Sequence, residues 1–325
     1  MHDLSLPLVD LHRHLEGSIR TSTVLDIAER TGHELAGRVK PRTALVADGS
    51  EGGLLPYLDK VDVAIGVLSG LDDWSRAAGE AVDDAFDDGL DYLELRYCPG
   101  IIAHDTGLAP EAVIDAVSGA VVERSARWGL PVGLIGIVVR HLGADSAEQQ
   151  MATLLSRRET FCAVDLAGDE ANFPAELFAD AFAKAREAGL HVTIHAGEAS
   201  GPQSVWDAVN HLGAERIGHG VRAAEDPALM EWLAAHGVTL EVSLTSNTQT
   251  GAAPSYADHQ IHKLLAAGVP VTLNTDNPRV SDVKLSQEHR AAVVEVGLTA
   301  EQLALVARQS AAAAFGDVGT LGNER

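Results

Sequence analysis

Short, almost unbroken apolar runs recur along the chain, separated by longer stretches in which apolar positions return every third or fourth residue. The short runs are "LPLVDLH", "DYLELRYCP", "VGLIGIVV", "CAVDLAG", "HVTIHAGE", "RIGHGV", "TLEVSLTS" and "VTLNTD". Runs of this kind fit strands covered on both faces, as in a parallel sheet. Between them lie "SRAAGEAVDDAFDDG", "PEAVIDAVSGAVVERSARWG" and "PAELFADAFAKAREAG", which have helical spacing and end in Gly just before the next strand. Eight strands alternating with helices predict an α/β protein of the (β/α)8 barrel type. A doubly wound open sheet is the competing architecture, but no GxGxxG follows the first run.

The connection after the first strand is long, reaching about residue 73, and contains two helical segments of its own, "TSTVLDIAERTG" and "LLPYLDKVDVAIGVLSG". Extra helices on that side of a barrel predict a lid over the active site. No linker, low-complexity tract or internal repeat divides the chain, so residues 1–325 read as one domain.

Composition narrows the function classes. Hydrophobic residues make up 46% of the chain, enough for a full core. Acidic residues outnumber basic ones by 47 to 24, giving a net charge of −23. Such a surface repels phosphate backbones and anionic lipid, which argues against nucleic-acid and membrane partners and makes a strongly anionic substrate awkward. Cys98 and Cys162 have no CxxC spacing, no stretch approaches the roughly 18 apolar residues of a membrane span, and the N-terminus lacks a basic start followed by a long apolar core. The expected location is the cytoplasm; the oligomeric state is left open.

In a barrel, chemistry sits at the carboxyl ends of the strands. There the unusual residues concentrate. The first strand ends in His12 and His14, two apart and therefore on one face of an extended strand. The fifth ends in "HAGE" with His195 and Glu198, the sixth in "GHG" with His219, and the eighth in "TDN" with Asp276 and Asn277. Three imidazoles and one carboxylate drawn to one mouth suit a single Zn²⁺ with an open position for water. Each alone has a plainer reading, as a satisfied core histidine or a helix cap, but four plain readings at four strand ends together are improbable. His259 and His262, at helical spacing, read as a solvated face. No lysine stands at the end of the fourth strand to bridge two metals, which favours one.

The segments "DLHRHLEGSIR", "YLELRYCP", "VDLAGDE", "HAGEASGP", "AERIGHGV", "LTSNTQT" and "VTLNTD" occur in an order and spacing that resemble the adenosine deaminase family, closest to its bacterial members. The resemblance covers nearly the whole chain. It implies a mononuclear zinc barrel that hydrolyses the 6-amino group of a purine nucleoside and releases ammonia. By matching position it gives His12, His14, His195 and Asp276 as zinc ligands, Glu198 as the group that handles the proton at ring atom N1, and His219 as the group that orients the attacking hydroxide. Gly168 matches a backbone donor to the purine, and His14, Glu16 and Asn277 complete the substrate contacts. The residue chemistry is consistent with this: zinc acidifies water from 15.7 to about 7, and a carboxyl raised in a dry site can protonate the ring, while His219 and Asp276 hold and deprotonate the water.

Two positions depart from the family's usual pattern. Asn277 stands where most relatives have a second aspartate, and Glu16 stands where most adenosine-acting relatives have Asp, whereas adenine-acting relatives often have Glu. The first touches the five-membered ring of the purine, the second the ribose end. The expected substrate is adenosine or 2′-deoxyadenosine, with adenine or a larger derivative such as aminodeoxyfutalosine as alternatives. A catalytically dead relative that binds nucleoside or metal is the reading from another class.

Overall fold

The computed structural model describes residues 6–38 and 40–318. Eight strands, β1 (Val9–His14), β2 (Tyr92–Tyr97), β3 (Val132–Val139), β4 (Ala163–Ala167), β5 (His191–Ala196), β6 (Arg216–His219), β7 (Thr239–Val242) and β8 (Val271–Leu273), pair in sequence order, and every pairing is parallel. Beyond the end of β8, His14 N–H donates to Asp276 O at 2.8 Å and Asp276 N–H to His12 O at 2.8 Å, so the last strand end closes onto the first. The expected (β/α)8 barrel is the observed one.

The helical stretches fall where the spacing placed them, as Leu71–Asp87, Pro110–Trp128 and Ala179–Glu187. Pro110–Trp128 stops at Gly129, whose φ of 64° is left-handed and costs a glycine nothing. The seventh apolar run is shorter as a strand than its sequence suggested. Its tail, Leu244–Gln249, turns into a helix whose first amides donate to the buried Glu288 carboxylate. The last run likewise ends as a regular strand at Leu273, beyond which Asp276 bridges to β1.

The long first connection carries Thr21–Thr31 and Leu54–Ile65. Leu54–Ile65 lies over the carboxyl ends of the strands, where Leu54, Leu58, Val61 and Ile65 face a cavity, while Tyr57 reaches inward to bond Ser281 Oγ at 2.7 Å. That is the position of a lid.

The barrel interior departs from the usual filling of Val, Ile and Leu. Glu94, Arg96, Asp165, Arg216 and Glu241 are all buried inside it and joined by ion pairs. The chain's last described turn seals the opposite end: Phe315 lies 3.6 Å from the Arg216 guanidinium, and its N–H donates to Glu94 Oε1 at 2.6 Å. Among the described residues, no helix is long and apolar enough to cross a membrane.

Candidate active site

The strand ends bring the expected residues together. His12 Nε2 and His14 Nε2 are 3.2 Å apart, and His14 Nε2 and His195 Nε2 are 3.2 Å apart. Asp276 Oδ1 lies 3.4 Å from His12 Nε2 and 3.3 Å from His14 Nε2. His12, His195, His219 and Asp276 offer ligand atoms within 4.8 Å of one another. Both His12 and His195 have their far nitrogen engaged: His12 Nδ1–H donates to Glu241 Oε2 at 2.8 Å, and His195 Nδ1–H donates to Asp165 Oδ1 at 3.0 Å. With the proton on Nδ1 of a neutral ring, Nε2 of His12 and of His195 keeps its lone pair for a cation, beside His14 Nε2 and Asp276 Oδ1. Donor atoms on a tetrahedron about 2.05 Å from a centre are about 3.3 Å apart, which is the separation found. The cluster is able to hold one metal ion.

The site is buried and its acids are split by their surroundings. Burial pushes Glu198 well above the ordinary carboxyl range, and the Asp276 and Glu170 charges push it further. Burial would raise Asp276 too, but its bond to His12 and the nearby His219 and His14 imidazoles outweigh that and hold it well below its usual value. Burial also holds His219, His14 and His195 in their neutral form, His219 and His14 most strongly. One carboxyl therefore holds its proton while the other stays ionised, and His219 Nε2 stands 3.6 Å from Glu198 Oε2.

Two residues here have backbone angles that side chains disfavour, His219 with φ 62° and Asp276 with φ 60°. Such strain collects at functional sites because it turns a side chain where a relaxed strand would not. Gly168, with φ 105°, gives way to a neighbour: an added Cβ would sit 2.7 Å from His141 Nδ1.

A cavity of about 410 Å³ opens above this cluster, lined by the lid, His14, Glu16, Gly168, His195, Glu198, His219, Asp276 and Asn277. Glu16 Oε1 accepts from Cys98 N–H at 2.8 Å, whereas Oε2 is buried without a partner, and burial pushes the carboxyl up to about 7. The lining includes Asp59, Asp62 and Asp169 and, among the described residues, no lysine or arginine.

The adenosine deaminase family model matches residues 7–320. Adenosine deaminase of Edwardsiella ictaluri is 44% identical over 308 residues, 93% of this chain and 92% of that protein, and the Klebsiella pneumoniae enzyme is 44% identical over equal shares. The chain belongs to the adenosine deaminase family. Among solved structures, an adenine deaminase from Arthrobacter aurescens superposes with a TM-score of 0.88 at 26% identity, covering 96% of this chain and 94% of that one. An Arabidopsis N6-mAMP deaminase does so with a TM-score of 0.84 at 27% identity, covering 96% and 94%.

One expectation fails. His259 is not on a solvated face: it is buried, sits just ahead of the helix Ile261–Ala266, and reaches Asn247. His262 is half-buried and bonds Val296 O at 2.9 Å. The turn between residues 250 and 260 folds back over Leu244–Gln249, which spacing alone does not disclose.

Several residues of this deaminase site were not anticipated. Glu170 collects the backbone amides of Gly197, Glu198, Ala199 and Ser200 and so fixes the loop that carries Glu198. Ser246 Oγ donates to Asp276 Oδ2 at 2.6 Å, and Arg140 donates to His195 O at 2.5 Å. Asp165 and Glu241 had a visible signal: each is a lone carboxylate inside an otherwise apolar strand, "CAVDLAG" and "TLEVSLTS".

Proposed function

We propose that this chain is a zinc-dependent hydrolytic deaminase of 6-aminopurine nucleosides, converting adenosine or 2′-deoxyadenosine to inosine or 2′-deoxyinosine and ammonia. The observation that carries it is the pairing of a protonated Glu198 with an ionised Asp276 beside a buried cluster of histidines able to hold a metal. His12, His14, His195 and Asp276 would hold the zinc. When bound, it supplies hydroxide at neutral pH by acidifying water from 15.7 to about 7.

The chain's own groups do the rest. Glu198 delivers its proton to ring atom N1, which makes C6 electrophilic. Asp276 takes the proton of the attacking water, and His219 directs that water's oxygen. Gly168 offers its backbone N–H to the purine, and Asn277 donates its amide to N7. The unpartnered Glu16 Oε2 accepts from a ribose hydroxyl, satisfying a buried oxygen that the protein leaves alone. The cavity lining has Asp59, Asp62 and Asp169 and, among the described residues, no lysine or arginine to meet a 5′-phosphate, so AMP should be a poor substrate. Free Cys98 and Cys162 suit a reducing cytoplasm.

Two measurements test this. Ammonia release from adenosine, 2′-deoxyadenosine, adenine and AMP should rank the two nucleosides first and AMP last; adenine in first place would support the alternative that Glu16 invites, and no turnover of any would support the dead relative. Elemental analysis of protein purified without chelator should give about one zinc per chain, and a value near two would overturn the mononuclear site.

A further inference from the structure

His219 is held from behind by a chain of hydrogen bonds whose direction can be read link by link. It begins at a backbone amide, which can only donate. Ile261 N–H donates to His259 Nδ1 at 3.1 Å. With Nδ1 accepting, the proton of neutral His259 must be on Nε2. Burial lowers the His259 pKa to about 4, so the ring stays neutral. His259 Nε2–H then donates to Asn247 Oδ1 at 3.4 Å. A second donor fixes the same amide face: Ser243 N–H points at Asn247 Oδ1, also at 3.4 Å. Turning the amide over would set its NH₂ against two N–H donors. Asn247 Nδ2–H is therefore the group aimed at His219 Nδ1, 2.9 Å away.

From this geometry we infer that Asn247 and His259 are positioning residues which lock His219 as the tautomer carrying its proton on Nε2, so that His219 acts as a hydrogen-bond donor to the reacting oxygen. Three consequences follow. An Nε2 bearing a proton has no lone pair for a cation, and Nδ1 is already occupied, so His219 drops out of the metal set although it lies within reach of it. The same nitrogen cannot take the proton of water, which leaves that task to Asp276. And the Nε2–H faces Glu198 Oε2, 3.6 Å away. The catalytic meaning rests on the deaminase reading above; the tautomer does not, because it belongs to the protein without substrate.

The test is ¹⁵N-histidine NMR on the zinc-loaded protein, with the His219 signals assigned by their loss in His219→Gln. The expected wild-type pattern is a bare Nδ1 and a protonated Nε2. A protonated Nδ1 in the wild type would overturn the proposal. Asn247→Asp keeps the shape but turns the donor into an acceptor, so the proton should appear on Nδ1. Asn247→Ala removes the group and leaves both tautomers accessible. If polarity is what matters, kcat for adenosine falls further in Asn247→Asp than in Asn247→Ala, by about tenfold or more, since a misdirected donor to a reacting oxygen typically costs about 10²-fold. If Asn247 only fills space, the order reverses, and that result sinks the idea. His259→Phe, which touches no substrate, removes one of the two donors that hold the Asn247 amide and should raise the share of His219 with its proton on Nδ1; an unchanged spectrum removes His259 from the relay. Should the wild type carry Nε2–H yet deaminate no purine, the relay stands and the proposed function falls.

Discussion

Replacing Glu241 by Gln tests whether the charged barrel interior supports both the fold and the metal cluster. Both carboxylate oxygens are fully used. Oε2 accepts from His12 Nδ1 and Arg96 Nη2, each at 2.8 Å, while Oε1 accepts from Arg216 Nε at 2.6 Å and Thr193 Oγ1 at 3.0 Å. Glutamine preserves the volume but offers only one oxygen. Whichever way its amide turns, the NH₂ meets an arginine N–H head-on, and two guanidinium groups lose a shared counter-charge. All of these groups are buried. Breaking a buried ion pair by removing one partner costs about 3–5 kcal/mol. At about 2.1 cal/mol/K per residue, a chain of 325 residues unfolds with an entropy of about 0.7 kcal/mol/K. The melting temperature should therefore fall by about 4–7 °C.

The same change loosens His12. A ligand histidine that loses its supporting carboxylate typically costs about 10–100-fold in metal affinity, measurable by competition with a chromophoric zinc chelator. Glu215→Gln is the control: its partner His191, 2.9 Å away, is half-exposed, and an exposed pair contributes at most about 1 kcal/mol, so this melt should move by no more than about 1.5 °C. If Glu241→Gln melts like the control and binds zinc as the wild type does, the interior network is not what orders the cluster.

Other expectations are more direct. Glu198→Gln keeps size and hydrogen bonding but cannot deliver a proton, so turnover should fall at least about 10²-fold while zinc content and melting temperature hold; surviving activity would remove Glu198 as the acid. For Asn277, wild type should prefer adenosine over 7-deazaadenosine by about 5- to 150-fold in kcat/KM, the worth of one buried hydrogen bond; Asn277→Ala should nearly erase that ratio, and an unchanged ratio means Asn277 does not read N7. Glu288 is pushed by burial from 4.5 up to about 7. A folded-state pKa above the unfolded one means a stabilising share that is complete below about pH 4.5 and is lost as pH rises through about 7, a difference of about 3 kcal/mol. Urea unfolding of wild type against Glu288→Gln should show the wild type losing about that much relative to the variant between pH 4.5 and 8, and parallel pH profiles would contradict it.

How much of this was legible in the chain depends on whether a feature is local. The barrel was, because a strand covered on both faces must be apolar along its length, and the change from such runs to helical spacing repeats eight times. The strand-end residues were legible because nothing but chemistry puts His12, His14, His195, His219 and Asp276 where a barrel opens. The lid helix Leu54–Ile65 could be read as a helix, and its place over the mouth followed from the length of the connection. What escaped was long-range. His12 meets Glu241 across 229 residues, and His195 meets Asp165 across 30. A single acid in an apolar strand is an anomaly that asks for a partner, but only the closed barrel says which partner.

Neighbouring hydrogen bonds explain why the strain at the mouth is tolerated. His219 and Asp276 sit at positive φ, conformations costing on the order of 1–3 kcal/mol each. Both are held from several directions: Asp276 by backbone bonds to β1 and by Ser246, His219 by Asn247. Behind them, Arg96 donates to Asp165 and to Glu241 at 2.8 Å each, so one guanidinium ties together the carboxylates that orient His195 and His12. A strand end alone has too few neighbours to fix an imidazole within the few tenths of an ångström that a metal or a proton transfer requires. Here His12 and His195 are each fixed at the far nitrogen by a carboxylate of the barrel wall, and His219 by Asn247. That is why an ionic interior, costly compared with the apolar filling other barrels use, belongs to the active site as much as to the fold.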